Sequence, residues 1–288
     1  MSLFDRLVDE AIQNQKDLAP LRMVVEKELL HHDILATLND AGLLRQLTFM
    51  GGTCLRSCYG SNRLSEDLDF TGGLHFNRDT LAQMANTLVK KLMKKYGLTV
   101  EVSEPIREHG NVDTWKIKVQ TRPQQKNIPT QRINIDVCSI PSYQAKPMML
   151  INPYGVEMGT SSLILQAESL EEIYIDKLLA FAFRPNRLKA RDLWDISWLS
   201  RKGIQPAFEL IASKINDHQR KHDEYLHLFN ERVKMMKDDP QIQKDFKTEM
   251  NRFLSPEIAT RTVNQFDFWD YLNGLMIRLG NEGTQTLR

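Results

Sequence analysis

Asp67 and Asp69 stand two apart in LSEDLDF, where Leu68 and Phe70 alternate with the acids as in a β-strand. On a strand that spacing turns both carboxylates to one face, with Cα atoms about 7 Å apart. Neighbouring carboxylates repel unless a cation lies between them. Mg2+ takes oxygen ligands, using one or two carboxylates while keeping waters or substrate phosphates. A solvated strand end is the plain reading of a lone D-x-D, so what precedes the pair matters. Gly51 and Gly52 let a backbone come close to a ligand, and Thr53 opens a helix-compatible stretch whose first N–H groups would form an anion site. A third acid, Asp136, sits in INIDVCSI, where Ile133, Ile135 and Val137 fill one strand face and Asp136 projects from the other. If that strand lies beside the one carrying Asp67 and Asp69, three carboxylates converge; otherwise Asp136 belongs to an ordinary wet sheet face.

The elements that must position these residues can be read from hydrophobic periodicity. Leu3, Phe4, Leu7 and Ile12, then Leu21 to Leu30, then Ile34, Leu35 and Leu38 recur at helical intervals and predict two or three short helices. Residues 47–70 read as strand, glycine turn, helix, strand. Residues 79–96 predict a helix capped by Asp79 and ended by Gly97. Three β-rich runs follow at 98–103, 114–121 and 131–140, the last two joined by RPQQKNIPT in a meander. Residues 166–183 and RLKARDLWDISWLSRKG predict two helices, residues 208–254 are helical and highly charged, and 267–279 supply a last helix that opens with aromatics. Pro141, Pro147 and Pro153 with Gly155 and Gly159 predict a loop-rich connection ahead of a lobe boundary near Thr160. The fold class is α/β (α+β): a mixed sheet core with N-terminal helices over 1–165, then a mostly helical lobe over 166–288.

With 288 residues, 41% of them hydrophobic, and a formal net charge of +1, the chain can bury a large core and carries no global basic field. Any nucleic-acid contact must therefore come from local patches. Three cysteines, Cys54, Cys58 and Cys138, exclude a disulfide framework and read as small core residues. No stretch has the length of a membrane span and the start lacks a signal-peptide core, so a cytoplasmic protein without membrane contact is expected.

The sequence resembles the AbiEii-type nucleotidyltransferase toxins, a type IV toxin-antitoxin family that includes the MenT toxins, within the nucleotidyltransferase superfamily. The motifs that carry the resemblance are GGTCLRSCYGSNRLSEDLDF, Lys177 in EEIYIDKLLAFAFR, and RDLWDI at 191–196, in the family's order. It implies a nucleotidyltransferase-like core, with Asp67 and Asp69 binding Mg2+ (or Mn2+) and Asp136 as third metal ligand or base. It further implies that Gly51, Gly52, Thr53, Arg63 and Ser65 surround the phosphates of an NTP co-substrate and that Lys177 contacts the triphosphate. Asp192 would face the same site, with Arg191 and Asp195 in its motif. The activity implied is transfer of a nucleoside monophosphate from an NTP to RNA, in the best understood members the tRNA acceptor 3′ end, which blocks translation. A cognate antitoxin is implied as well.

The residues themselves support these roles unevenly. Lys177 has no acid three or four residues away, so an intrahelical ion pair does not explain it, although a lysine snorkelling from an apolar helix face would. RDLWDI reads equally as an amphipathic helix with Arg191 paired to Asp195 one turn on. No acid lies between Asp113 and Asp136, whereas Lys116, Lys118, Arg122, Lys126 and Arg132 do; Arg184, Arg187, Lys189 and Arg191 form a second basic cluster. Both patches suit RNA phosphates, and both also suit solvated protein surface. His218 and His222, one helical turn apart, with His227, Asp217 and Asp223 nearby, raise a zinc site against the simpler reading of a solvated helix face. Two alternatives stay open: a protein or small-molecule hydroxyl as acceptor, and a nucleotide-binding regulatory module without turnover.

Overall fold

The computed structural model describes residues 2–106, 110–124, 130–185 and 187–287. The chain forms two compact units, Met1–Glu168 and Ser169–Arg288.

In the first unit, helix α1 (Leu3–Asn14) starts with a capping box: the Ser2 hydroxyl accepts the Asp5 N–H at 3.0 Å and the Asp5 carboxylate accepts the Ser2 N–H at 3.2 Å. A 3-10 turn leads into α2 (Arg22–Asp40). There follow β1 (Thr48–Met50), α3 (Gly51–Tyr59), β2 (Leu68–Thr71), α4 (Met84–Tyr96), β3 (Thr99–Ser103), β4 (Val112–Gln120), β5 (Gln131–Cys138), β6 (Ala145–Met149) and β7 (Ile164–Glu168). The strands form one mixed sheet in the order β3-β4-β5-β2-β1-β7-β6. β2 runs parallel to β5 and β1 parallel to β7, while the other neighbours are antiparallel. Alternation buries Trp115, Ile117, Val119, Ile133, Ile135 and Val137, and α2 packs on β5 while α4 packs on β3.

The second unit is helical: α5 (Leu170–Phe183), α6 (Ala190–Arg201), α7 (Ile211–Asp217), α8 (His222–Asp238), α9 (Pro240–Met250), α10 (Pro256–Arg261) and α11 (Phe268–Leu287). α5 packs on α6 and α8, α8 on α11, and α6 on α9. Aromatic side chains fill this core, with Phe181 against Phe229 edge-on at 4.9 Å and Trp194 stacked on Phe268 at 6.0 Å. Proline at the first helical position opens α9 and α10, behind the caps Asp239 and Ser255.

Several expectations are corrected. The stretch read as a loop-rich connection contains β6, and β7 follows it. Pro147 is tolerated in β6 because that strand is the sheet edge, where a missing N–H need not break the ladder. The helix expected from residue 166 begins at Leu170, because Ile164–Glu168 pairs with β1 and β6; the Ser169 hydroxyl caps the helix by accepting the Glu172 N–H at 3.1 Å. Asn77, not Asp79, caps the turn that precedes α4, accepting the Asp79 N–H at 2.9 Å. The RPQQKNIPT connection lies partly outside the described residues, which leave out 125–129. Among the described residues no helix is long and apolar enough to cross a membrane.

Helix α2 carries five buried ionisable residues, Glu26, Glu28, His31, His32 and Asp33, among its apolar ones. Each is matched. Glu28 accepts the Ser65 N–H at 2.7 Å and the Arg56 Nε–H at 3.1 Å, and takes the Tyr154 hydroxyl proton as well. Burial works against the charge of Arg56, but the Glu28 carboxylate overrides it and holds the guanidinium above its ordinary range. Asp33 receives the Tyr96 hydroxyl and Lys95, and His32 Nδ1 lies 2.8 Å from the Thr160 hydroxyl.

This network makes two predictions. Glu28→Ala strands Arg56 and the Ser65 N–H without their acceptor and should cost about 3–5 kcal/mol, read by urea unfolding. Glu28→Gln, which keeps an acceptor oxygen, should cost less, and an Ala variant within about 1 kcal/mol of wild type would refute the network's weight. The second concerns pH: burial pushes His32 down to about 4 and lowers His31 too. Between about pH 6.5 and pH 4 the folded chain therefore binds fewer protons than the unfolded one, so stability is full above that window and falls as pH drops through it. From His32 alone the loss between pH 7 and pH 5 is on the order of 2 kcal/mol. Urea titrations at the two pH values should show it, and His32→Gln should flatten the slope; an unaltered slope would contradict the assignment.

Candidate active site

Asp69 and Asp136 are direct Cα partners on the adjacent parallel strands β2 and β5. Their backbones are thus about 4.8 Å apart with both side chains on one half-exposed face of the sheet. Thr114 of β4 is the next residue in the same row. Asp67 directly precedes β2, and its Oδ1 accepts the Asn134 N–H at 3.0 Å, which ties the start of β2 to β5. The strand expected to lie beside the D-x-D strand does so, in the register that sets two of the acids side by side.

Met50, at the end of β1, is the partner of Asp69, so the chain enters Gly51 directly against that carboxylate. Gly51 has φ 74°, and a Cβ there would lie 2.6 Å from Asp69 Oδ2. Both the left-handed backbone and the missing side chain are required. Helix α3 starts at this residue, so the first N–H groups of a nine-residue helix, those of Gly51 and Gly52, come up beside the acids with the positive end of the helix dipole.

Thr53 and Ser65, expected around phosphates, have buried hydroxyls 2.5 Å apart, and the Thr53 hydroxyl donates to the Asp67 carbonyl. They lock the α3–β2 connection, with Glu28 holding the Ser65 N–H from behind. Arg63 is buried and donates to the Leu64 carbonyl at 2.9 Å. Glu28 is the residue that sequence reasoning passed over. Its signal was an acid inside an apolar helical stripe, at spacings of three, four and seven from Val25, Val24 and Leu35.

In the helical unit, Lys177 of α5 lies 2.8 Å from Asp192 and 2.9 Å from Asp195, both on α6. Arg184 reaches the other oxygen of Asp192 at 2.9 Å. Burial would raise Asp192, yet Lys177, Lys189 and Arg184 hold it well below the usual carboxylate range; Lys189 is itself lowered, by burial. Arg191 reaches Glu249 of α9 at 3.2 Å, with its guanidinium over the Phe253 ring at 4.7 Å. Glu172 and Asp176, which do not face Lys177, hold the buried Lys214 at 2.8 and 2.7 Å.

The basic stretches divide in the same way. Arg122 is bound to Glu26 and lies 3.7 Å from Asp5, whereas Lys116, Lys118 and Arg132 are exposed; Lys126 lies outside the described residues. His218 and His222 do not share a helix: His218 follows α7, Gln219 adopts φ 55°, and His222 opens α8. Among the described residues no three His, Cys, Asp or Glu side chains form a ready metal cage, and none of the three cysteines is in a disulfide. The donors at β2 and β5 are nevertheless all oxygen, paired and half-exposed, which suits an ion that completes its shell with water and phosphate oxygens.

The family described as nucleotidyl transferase AbiEii toxin, type IV TA system, matches residues 33–273, a span that contains every motif residue above. Among solved structures the chain is similar to MenT4, a nucleotidyltransferase toxin from Mycobacterium tuberculosis, with 16% identity, 97% of each chain covered and a TM-score of 0.53; the likeness is one of fold. It is also similar to JHP933 from Helicobacter pylori, with 18% identity, 92% of this chain and 96% of that one covered, and a TM-score of 0.46. None of the curated protein sequences matches. A family match over most of its length, on a mixed sheet with the glycine turn set against paired acids, makes the chain a nucleotidyltransferase that belongs to the AbiEii toxin family of type IV toxin-antitoxin systems.

Proposed function

We propose that the chain transfers a nucleoside monophosphate from an NTP to RNA, with the tRNA acceptor 3′ end as the acceptor, and that the transfer blocks translation. The observation that carries the reading is the Asp69 and Asp136 row lying against the Gly51 turn at the start of α3. In the reaction the acceptor hydroxyl oxygen bonds to the α-phosphorus in line, the bond from that phosphorus to the bridging oxygen breaks, and pyrophosphate leaves with its electron pair. The hydroxyl proton passes to a base, for which Asp136 is the candidate. Asp67, Asp69 and Asp136 are the residues that would hold Mg2+ or Mn2+, with Asp67 also tethering the strands. A bound divalent ion supplies charge neutralisation at the attacking and leaving oxygens.

The backbone N–H groups of Gly51 and Gly52 receive triphosphate oxygens. Thr53, Ser65 and Arg63 keep that turn in place from their buried positions. Lys177 is assigned to the triphosphate by the order of the family's motifs, with Asp192 and Asp195 holding its ammonium and Arg191 anchoring their helix to Glu249. An RNA acceptor is supported by the exposed cations Lys116, Lys118 and Arg132 on the strands next to the acids. A cognate antitoxin is the expected partner of a toxin of this system type.

The test is incubation with Mg2+, each α-labelled NTP in turn and total tRNA, with Asp69→Ala alongside. Label on tRNA should appear with wild type and drop by at least about a hundredfold in the variant. Label on protein, or release of pyrophosphate with a small-molecule acceptor alone, would replace RNA as acceptor. Gly51→Ala offers a second check. The left-handed backbone should cost about 1–2 kcal/mol in stability, while the added Cβ displaces the Asp69 carboxylate and lowers transfer much further than the stability loss explains. Thermal melts and transfer rates on the same preparation separate the two effects, and undiminished transfer would remove Gly51 from the site.

A further inference from the structure

The sheet face that carries Asp69 and Asp136 continues across β5, β4 and β3. The register sets Thr114 beside Asp136, Lys116 beside Asn134 and Lys118 beside Arg132; on the next strand Ser103 flanks Lys116 and Glu101 flanks Lys118. Because Trp115, Ile117, Val119, Ile133, Ile135 and Val137 are buried on the opposite face, alternation turns Lys116, Lys118 and Arg132 outward, where they are exposed. Each two-residue step along a strand covers about 6.7 Å. The row with Lys116 therefore stands about 7 Å from the Asp136 row, and the row with Lys118 and Arg132 about 13 Å from it.

The charge on the β4 and β5 rows is mainly positive. The acids near them are Asp67, whose carboxylate is engaged by the Asn134 N–H in the Lys116 row, and Glu101, whose contact with Lys118 is a long 3.6 Å between two exposed side chains, a pairing of little strength in water. Among the described residues no acid lies within ion-pair distance of Lys116 or Arg132. Arg122 in the same basic stretch shows the contrast, since it is bound to Glu26 of α2 and is unavailable. Lys116 and Arg132, with Lys118 only loosely paired to Glu101, thus lead in two rows up to paired carboxylates that would repel a polyanion on their own.

We propose that this open face is a track for the sugar–phosphate backbone of the RNA acceptor, which holds the strand upstream of its 3′ end while the terminal hydroxyl lies at the Asp69 and Asp136 row. The inference rests on the RNA reading of the acceptor. At the 3.4 Å rise of a stacked strand the two rows meet phosphates about two to four nucleotides upstream. Contacts of this kind grip without reading bases, so they set affinity and salt dependence and leave the choice of sequence to other residues.

The test uses the full chain carrying Lys116→Gln, Lys118→Gln and Arg132→Gln together, beside a control that loses the same charge elsewhere: Lys90→Gln, Lys91→Gln and Lys94→Gln on the exposed side of α4. Transfer to tRNA gives KM, and fluorescence titration with labelled tRNA over a range of salt gives affinity and its slope. The track variant should raise the tRNA KM about 10- to 100-fold and reduce the salt slope by about two, the share of three single-strand phosphate contacts. The α4 control should change neither. A track variant with wild-type KM and slope, or an α4 control that weakens binding equally, overturns the proposal. Failure of the RNA reading shows itself differently: wild type then labels no RNA, while the titration still decides whether this face holds it.

Discussion

The candidate site depends on one register. β2 lies parallel to β5, held where it begins by the bond from the Asn134 N–H to the Asp67 carboxylate. A slip of one residue would turn Asp69 away from Asp136 and drive Leu68 and Phe70, now buried, onto the wet face. The hydrophobic pattern and the acidic pattern are therefore the same constraint seen from two sides of the sheet. β1 adds the third piece, since pairing Met50 with Asp69 delivers Gly51, and the start of α3, to the carboxylate.

The carboxylates of this protein fall into two electrostatic situations. Glu28, Asp192 and Asp195 are buried, and each is surrounded by cations and hydroxyls that repay its desolvation. Asp69 and Asp136 sit side by side on a half-exposed face, an arrangement in which mutual repulsion is relieved by water or by a cation. Buried acids stabilise, and the half-exposed pair stands where an ion and its phosphates can enter. The division explains why Glu28 belongs to the site's support although it stands on a helix and the acids it serves stand on the sheet. It anchors Ser65, Ser65 meets Thr53, and Thr53 holds the carbonyl of Asp67.

How much of this was legible in the sequence varies with the range of the interaction. The glycine turn, the alternation of β2 and the third acid in β5 are local patterns, and each could be read because it repeats within a few residues. β6 and β7 could not, since Pro147 argues against a strand except at an edge, and only the sheet order reveals that β6 is the edge. Arg191 and Asp195 have the spacing of an intrahelical pair, yet folding brings Glu249 to one and Lys177 to the other. Spacing on one helix predicts neighbours in that helix alone. Partners from α5 and α9, some 15 to 60 residues away, reach the same charges, and the acids that meet Lys177 are buried, where an ion pair is stronger than at an exposed helix surface.

That competition bears on what the helical unit can offer a nucleotide. Lys177, Arg184 and Lys189 surround Asp192, and Asp195 adds a second acid, so three cations face two carboxylates. The acids fix the lysine's position before any ligand arrives, at the cost of most of its field. Burial also works against the charge of Lys189 and lowers its pKa. On the proposed reading, a triphosphate therefore meets an ammonium whose place is already set and whose charge is shared, an arrangement that favours orientation over tight binding. The helix N-terminus at Gly51 has a different character: its N–H groups are neutral donors, set beside the Asp69 carboxylate. Each element has its own chemistry, hydrogen bonds from neutral donors in one and a positioned cation in the other. Neither needs the chain as a whole to be basic, which accords with its net charge of +1.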